Sequence, residues 1–173
     1  MDRLKWVDRT LGPSTDPRLM PSLLERLMGT PARLEEKVAT LVPKWLTVRV
    51  ANTWSIQENI GHLADVEPLW QGRLADIIAG APELRPTDLF DQATNQANHH
   101  STSLAAPLAR FRHLRTQTMQ HLEAVQASDL DLSARHPRLQ TPMRIPDLLL
   151  FVAEHDDHHL ARITALAREL AAA

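Results

Sequence analysis

The amino-acid sequence predicts an all-α fold, a four-helix bundle with two long connections. Three observations carry that prediction. Four long segments repeat apolar residues at the three-to-four spacing of one helix face, while Val, Ile and Thr nowhere alternate over a convincing strand length. Pro and Gly clusters punctuate those segments. Two of the separators are too long for tight turns, which suits a bundle with crossover connections.

The chain of 173 residues is long enough for one domain, residues 1–173, with a proper core. A hydrophobic share of 43% with 23% charged residues places it among globular proteins. The net charge of −2 makes no electrostatic case for nucleic acid or an anionic membrane as partner. No apolar run approaches the roughly 18 residues of a membrane span. The start is charged from Asp2 and lacks a signal-peptide apolar core, so a cytoplasmic location is expected. With no Cys, any metal must be held by His and carboxylates.

Taken in order, residues 1–21 read as an irregular lead-in, rich in proline from Asp8 onward. A first helix is expected from about Ser22 to Leu41, with Leu23, Leu24, Leu27, Leu34, Val38 and Leu41 on its apolar face. Gly29-Thr30-Pro31 should bend or interrupt it. After a connector over residues 43–53, Ser55-Ile56-Gln57-Glu58 has the S-x-x-E form of a capping box and opens the second helix. That helix runs to about Ile78, where Gly80-Ala81-Pro82 stops it, and Pro68 inside it predicts a local kink. Residues 82–98 read as a long crossing loop of the length that often carries function. The third helix begins near Ser101 or Ser103 and reaches about Ala127, with Leu108, Phe111, Leu114, Thr118, Leu122 and Val125 as its stripe. Residues 128–145 form a second loop, and Pro146 opens the last helix, a favoured place for proline.

The last helix contains His155-Asp156-Asp157-His158-His159. With about 100° per residue, Leu148, Val152, His155, Ile163, Leu166 and Leu170 all fall within about 40° of His159. Two imidazoles four residues apart therefore share the buried stripe and stand one above the other, close enough for two ring nitrogens to reach one divalent cation. A third ligand from another helix would leave a position open for water or substrate, as in catalytic zinc sites. The bland alternative is a pair of hydrogen-bonded core histidines, and the pair alone does not choose. His62, mid-way along the second helix at the edge of its apolar face, is the candidate for the third ligand, and Gly61 beside it permits close approach of another helix. His158 lies about 100° off the stripe, at the flank or entrance of the site, and could replace His159 through an i, i+3 pair. His99-His100 sit at a loop–helix junction, while His113, His121 and His136 show no partner spacing.

At these residues the chain resembles a known family. Trp54-Ser55-Ile56-Gln57-Glu58-Asn59-Ile60-Gly61-His62-Leu63-Ala64-Asp65-Val66-Glu67 looks like the second-helix signature of the DinB-like superfamily. Ala153-Glu154-His155-Asp156-Asp157-His158-His159-Leu160-Ala161-Arg162-Ile163 looks like its last-helix signature. Looser agreement over Leu24 to Leu34 and Phe111 to Arg115 extends the likeness to about residues 20–170. The resemblance implies an up-down-down-up four-helix bundle and a divalent metal site whose ligands, carried over by position, are His62, His155 and His159. It also implies frequent homodimers and chemistry around low-molecular-weight thiols, some relatives being bacillithiol- or mycothiol-dependent and others resembling metal-dependent hydrolases. Pro68 and the proline-rich loops depart from the usual pattern and bear on the shape of the substrate mouth.

The expected cofactor is a divalent ion, nickel, zinc or iron, possible alongside a low-molecular-weight thiol. Three neutral ligands leave such an ion its full charge, so a thiol or water held there is acidified for attack on a small-molecule substrate. Glu58, one turn before His62, could orient it, although the capping box is the preferred reading. Asp156 could act beside the ligands as a base, Asp157 should face water, and Arg115 is a candidate anion contact whose simpler reading is a solvated side chain. The competing class is a non-catalytic dimeric bundle, an interaction or stress-response module with a structural metal or none. A di-iron carboxylate bundle needs two Glu-x-x-His motifs, and the chain has none.

Overall fold

The computed structural model describes Trp6, Arg9 and residues 14–88 and 90–173. Its elements are α1 (Met20–Ala39), α2 (Ile56–Ile78), α3 (Gln92–Gln96), α4 (Ala105–Glu123), β1 (Ser133–Arg135), β2 (Pro142–Arg144) and α5 (Ile145–Ala171). Helices α1, α2, α4 and α5 form the bundle, packed in the cyclic order α1–α4–α2–α5. Cross-links between side chains give the directions. Arg26 meets Glu154 and Lys37 meets Thr164, so α1 and α5 run parallel. Glu67 meets Arg115 and Gln71 meets Thr118, so α2 and α4 run parallel too. Asn59 meets His159 while His62 meets His155, which sets α2 against α5. The topology is up-down-down-up, and the parallel α2–α4 pair requires the long crossing connection.

Local chemistry accounts for the helix ends. The Ser55 side chain accepts from the Glu58 N–H while the Glu58 carboxylate takes the Ser55 N–H, the reciprocal capping box expected for α2. At the far end Gly80 adopts φ +67, a left-handed conformation that stops the helix. Pro146 stands in the first turn of α5, where its missing N–H costs nothing.

Differences from the sequence-based expectations have local causes. Helix α1 is unbroken through Gly29 and Pro31. Proline at 31 deprives the Leu27 carbonyl of its helical donor, but Arg115 Nη1 donates to that oxygen at 3.0 Å, so the helix keeps its path. Helix α2 likewise continues through Pro68. The crossing loop contains α3 and a single 3₁₀ turn at His99–Ser101, and residues 128–145 contain a β-hairpin rather than plain loop. Each strand has three residues, too short to show alternation in the sequence, but Ala134 and Met143 face each other and close the end of the core. The irregular lead-in expected over residues 1–21 ends earlier, since Pro17–Leu19 form a 3₁₀ turn and Met20 and Pro21 already belong to α1; residues 1–5, 7–8 and 10–13 lie outside the described residues.

The interior has three levels. One apolar cluster gathers Leu23, Leu27, Trp70, Leu74, Leu122 and Phe151 with the hairpin. The other gathers Leu34, Ile56, Ile60, Phe111, Leu160 and Ile163. Between them along the helices lies a polar level. There Arg115, 1% exposed, binds Glu67 through Nε (2.7 Å) and Nη2 (2.9 Å) and Asp156 through Nη1 (2.7 Å) and Nη2 (3.2 Å). Burial works to lower the pKa of Arg115, but the Asp156 and Glu67 carboxylates outweigh it and raise it above the ordinary guanidinium value. Among the described residues no helix is long and apolar enough to cross a membrane.

Removing one member of a buried, hydrogen-bonded ion cluster strands its partners. Arg115→Met should therefore lower unfolding stability by about 3–5 kcal/mol, read from urea denaturation, whereas an exposed ion pair such as Arg112–Glu35 should contribute about 1 kcal/mol or less.

Candidate metal centre

Helices α2 and α5 cross at the polar level, and each presents imidazole there. His155 and His159 are one turn apart on α5, and His62 faces them from α2. All three are buried, and their metal-binding nitrogens lie within 4.8 Å of one another. His155 Nε2 is 3.3 Å from His62 Nε2 and 3.3 Å from His159 Nε2. Nitrogens bound at about 2.0–2.1 Å to a tetrahedral ion stand about 3.3–3.4 Å apart, so the spacing fits a single ion. Among the described residues no fourth His, Asp or Glu joins the group.

The remaining ring nitrogens show how the rings are aimed. The Asn59 amide donates to the carbonyls of Ser55 (2.7 Å) and Trp54 (3.3 Å), which turns its oxygen toward His159 Nδ1 at 2.9 Å. Only an Nδ1–H can pair with that oxygen, so the lone pair of His159 lies on Nε2. Thr94 donates to Asp65 Oδ2 (3.0 Å) and accepts from His62 Nδ1 (3.0 Å), which makes the same assignment for His62. Two lone pairs thus converge on His155 Nε2, an arrangement satisfied either by an Nε2–H of His155 or by a cation among the three nitrogens. His155 Nδ1 is buried and has no hydrogen-bond partner among the described residues, with Trp6 and Trp70 edge-on to the ring at 5.1 and 5.5 Å between centroids.

Burial favours the neutral form of two of the rings, His62 and His155. It pulls the His62 pKa down to about 4, with the charge of Asp65 opposing and those of His158 and His99 assisting. His155 is pushed well below the ordinary imidazole value, first by burial and then by His62, His158 and nearby arginines. Neutral imidazole is the form that ligates metal.

The group opens on a cavity of about 820 Å³, lined also by Trp54, Trp70, Phe151 and His158. That size suits a small molecule. His158 is buried at its wall, its ring 5.3 Å from that of His159 and 6.0 Å from that of Trp6.

Four other residues singled out in the sequence stand elsewhere. Glu58 does not touch His62. It caps α2 and pairs with Arg49, and although burial works to raise its pKa, Arg49, the Ser55 N–H and His100 hold it at about 2. Asp156 does not line the cavity, and its carboxylate is bound by Arg115, which removes it as a base there. Arg115 is neither solvated nor a cavity residue but the centre of the buried ion cluster. Asp157 is partly exposed and pairs with Arg26 and Arg33.

Asn59 and Thr94 went unnoticed in the sequence. Asn59, three residues before His62, carried a signal in its helical spacing; Thr94, in a stretch without periodicity, carried none. Gly61 admits the His99 ring of the crossing connection rather than another helix, for a Cβ at 61 would collide with it. His99 in turn binds Asp65 at 2.8 Å, below the Thr94–His62 contact.

Comparison with known proteins agrees with this architecture. The family model of the DinB superfamily matches residues 26–163. YfiT from Bacillus subtilis, described as a probable metal-dependent hydrolase with an unusual four-helix bundle topology, superposes with a TM-score of 0.80 at 20% identity over 94% of each chain. A mycothiol-dependent maleylpyruvate isomerase superposes with a TM-score of 0.66 at 8% identity, over 82% of this chain and 59% of its own. At such identities the likeness is one of fold. None of the curated proteins matches the chain.

The fold prefers His62 and His136 neutral, and burial pulls His136 down to about 4 as well, assisted by Arg73 and Arg138. Unfolded histidines titrate near 6.5, so this contribution to stability is complete above about pH 6.5 and is lost as pH falls toward about 4. Denaturation of metal-free protein at a series of pH values should show that loss; a flat profile across the window would contradict it.

Proposed function

The chain belongs to the DinB superfamily, and from that premise we propose that it is a divalent-metal-dependent enzyme acting on a small molecule, with water or a thiol as nucleophile. One observation carries the reading. Three buried imidazoles direct Nε2 at a common point on the wall of a cavity large enough for a substrate, with no fourth protein ligand among the described residues. Structural sites are closed by four protein ligands; an open position is the mark of catalytic ones.

His62, His155 and His159 would hold the ion. A bound divalent cation supplies Lewis acidity, bringing proton loss from water or a thiol toward neutral pH. Asn59 and Thr94 fix the tautomers and orientations of two ligands, and Asp65 behind Thr94 adds negative charge that strengthens His62 as a donor. Trp6, Trp54 and Trp70 wall the histidines, which limits water and strengthens the electrostatics inside. YfiT, the structural relative described as a probable metal-dependent hydrolase, supports hydrolysis, and the mycothiol-dependent isomerase supports a thiol partner.

Metal analysis of untagged protein purified without chelator tests the site. About one nickel, zinc or iron per chain is expected, and loss from His62→Ala, His155→Ala and His159→Ala that remain folded. A folded wild type that takes up no divalent ion when supplied with one would refute the proposal. Asn59→Ala and Thr94→Val should each weaken ion affinity by about 10–100-fold, measured by competition with a chromogenic chelator. Chelation should abolish hydrolysis or thiol transfer, and resupply of the ion should restore it.

A further inference from the structure

Arg73 lies on the same stripe of α2 as His62. Eleven residues further on, it is rotated by about 20° and displaced by about 16 Å along the axis. It is 1% exposed and lines the same cavity. Trp70 touches both places, its ring 5.5 Å from the Arg73 guanidinium carbon and 5.5 Å from the centre of the His155 ring.

The guanidinium is short of acceptors. Its Nε donates to the Arg85 carbonyl at 3.2 Å, and its Nη1 stands 3.0 Å from His136 Nε2. Its Nη2 is buried and has no partner among the described residues. The nearby carboxylate of Asp76 is committed to the backbone N–H of Arg85 (2.9 Å) and to its Nη2 (2.7 Å).

His136 does not make up the deficit. Its Nδ1 faces the backbone N–H groups of Arg138 and Leu139, each at 3.2 Å. A neutral imidazole has one accepting nitrogen, so Nδ1 and Nε2 cannot both accept and one N–H is left over. Burial lowers the Arg73 pKa to about 10, Asp76 opposing and Arg138 adding to the effect, so the group stays charged at neutral pH. A buried guanidinium without a carboxylate is costly unless a counter-charge arrives.

Among the described residues none of the cavity's own carboxylates pairs with Arg73. Asp88 accepts from the backbone of Phe90 at 3.0 Å and from that of Gln92 at 2.5 Å, Glu169 meets Arg162, and Asp91 makes no ion pair with the guanidinium.

We propose that Arg73, together with His136, is an anion subsite, and that the substrate is a small molecule whose carboxylate or phosphate sits there while its reacting group lies at the three histidines. Trp70 spans the interval and offers a face to the part between. The proposal rests on the catalytic reading of the cavity and names the substrate class for it.

Metal-free, chelator-treated protein is the sample to test, since the ion would otherwise hold anions itself. Succinate and inorganic phosphate are the probes, titrated at low ionic strength with tryptophan fluorescence and calorimetry as readouts. Saturable binding by the wild type is expected, weakened about tenfold or more in Arg73→Met and less in Arg73→Lys, which keeps the charge but not the fork. The ligand should raise the melting temperature of the wild type and leave that of Arg73→Met unmoved. Arg73→Gln provides the same comparison if Arg73→Met does not fold. Equal affinity in wild type and these variants, or no saturable binding of either anion by the wild type, would overturn the subsite. A wild type that binds succinate but no divalent ion would support it while refuting the metal reading.

Discussion

One guanidinium ties the bundle together. Arg115 reaches from α4 to Glu67 on α2, to Asp156 on α5 and to the Leu27 carbonyl on α1, so all four long helices meet in its hydrogen bonds. The last contact also answers the proline at 31, whose ring would otherwise leave that carbonyl without a donor. The cluster sits between two apolar clusters that could in principle slide or rotate against each other; a charged network with defined partners cannot. Such a network adds less to stability than hydrophobic packing of the same volume would, but breaking it is costly, so it specifies one arrangement.

That arrangement governs the histidines. Asp156 follows His155 directly, and on a helix the two side chains diverge by about 100°. Anchoring Asp156 on Arg115 therefore sets the rotation of α5 that turns His155 and His159 toward α2. The capping box at Ser55 fixes where α2 begins, and the same turn supplies the carbonyls that hold Asn59 against His159. The crossing connection completes the support from the other side, through Thr94 on His62 and His99 on Asp65. Three separate pieces of chain thus aim two rings, while His155 is positioned by packing between tryptophans.

The bundle and its ligand candidates were legible because both rest on helical periodicity. The stripe carrying His155 and His159, the cap at Ser55 and Pro146 as helix opener all read locally, and each is found where local rules put it. What failed to read depends on contacts between distant segments. On their own helices Arg115 reads as a solvated residue and Asp156 as a neighbour of the ligands; only the packed bundle makes them partners across 41 positions of chain. Thr94, His99 and His136 lie in stretches without periodicity, so nothing local marks them as neighbours of the cavity. Arg73 shares the His62 stripe, and its position on the wheel could have drawn attention, but that no carboxylate among the described residues hydrogen-bonds it shows only in three dimensions.

In the proposed site His62, His155 and His159 together bind one ion through Nε2, with the cavity side left open. X-ray absorption and anomalous diffraction at the edge of the bound metal, on crystals of loaded protein, would test this arrangement. A single ion is expected in contact with those three nitrogens, with Nδ1 of His159 on Asn59, Nδ1 of His62 on Thr94, and a non-protein ligand facing the cavity. An ion held elsewhere, bound through Nδ1, or enclosed by a fourth side chain would contradict it.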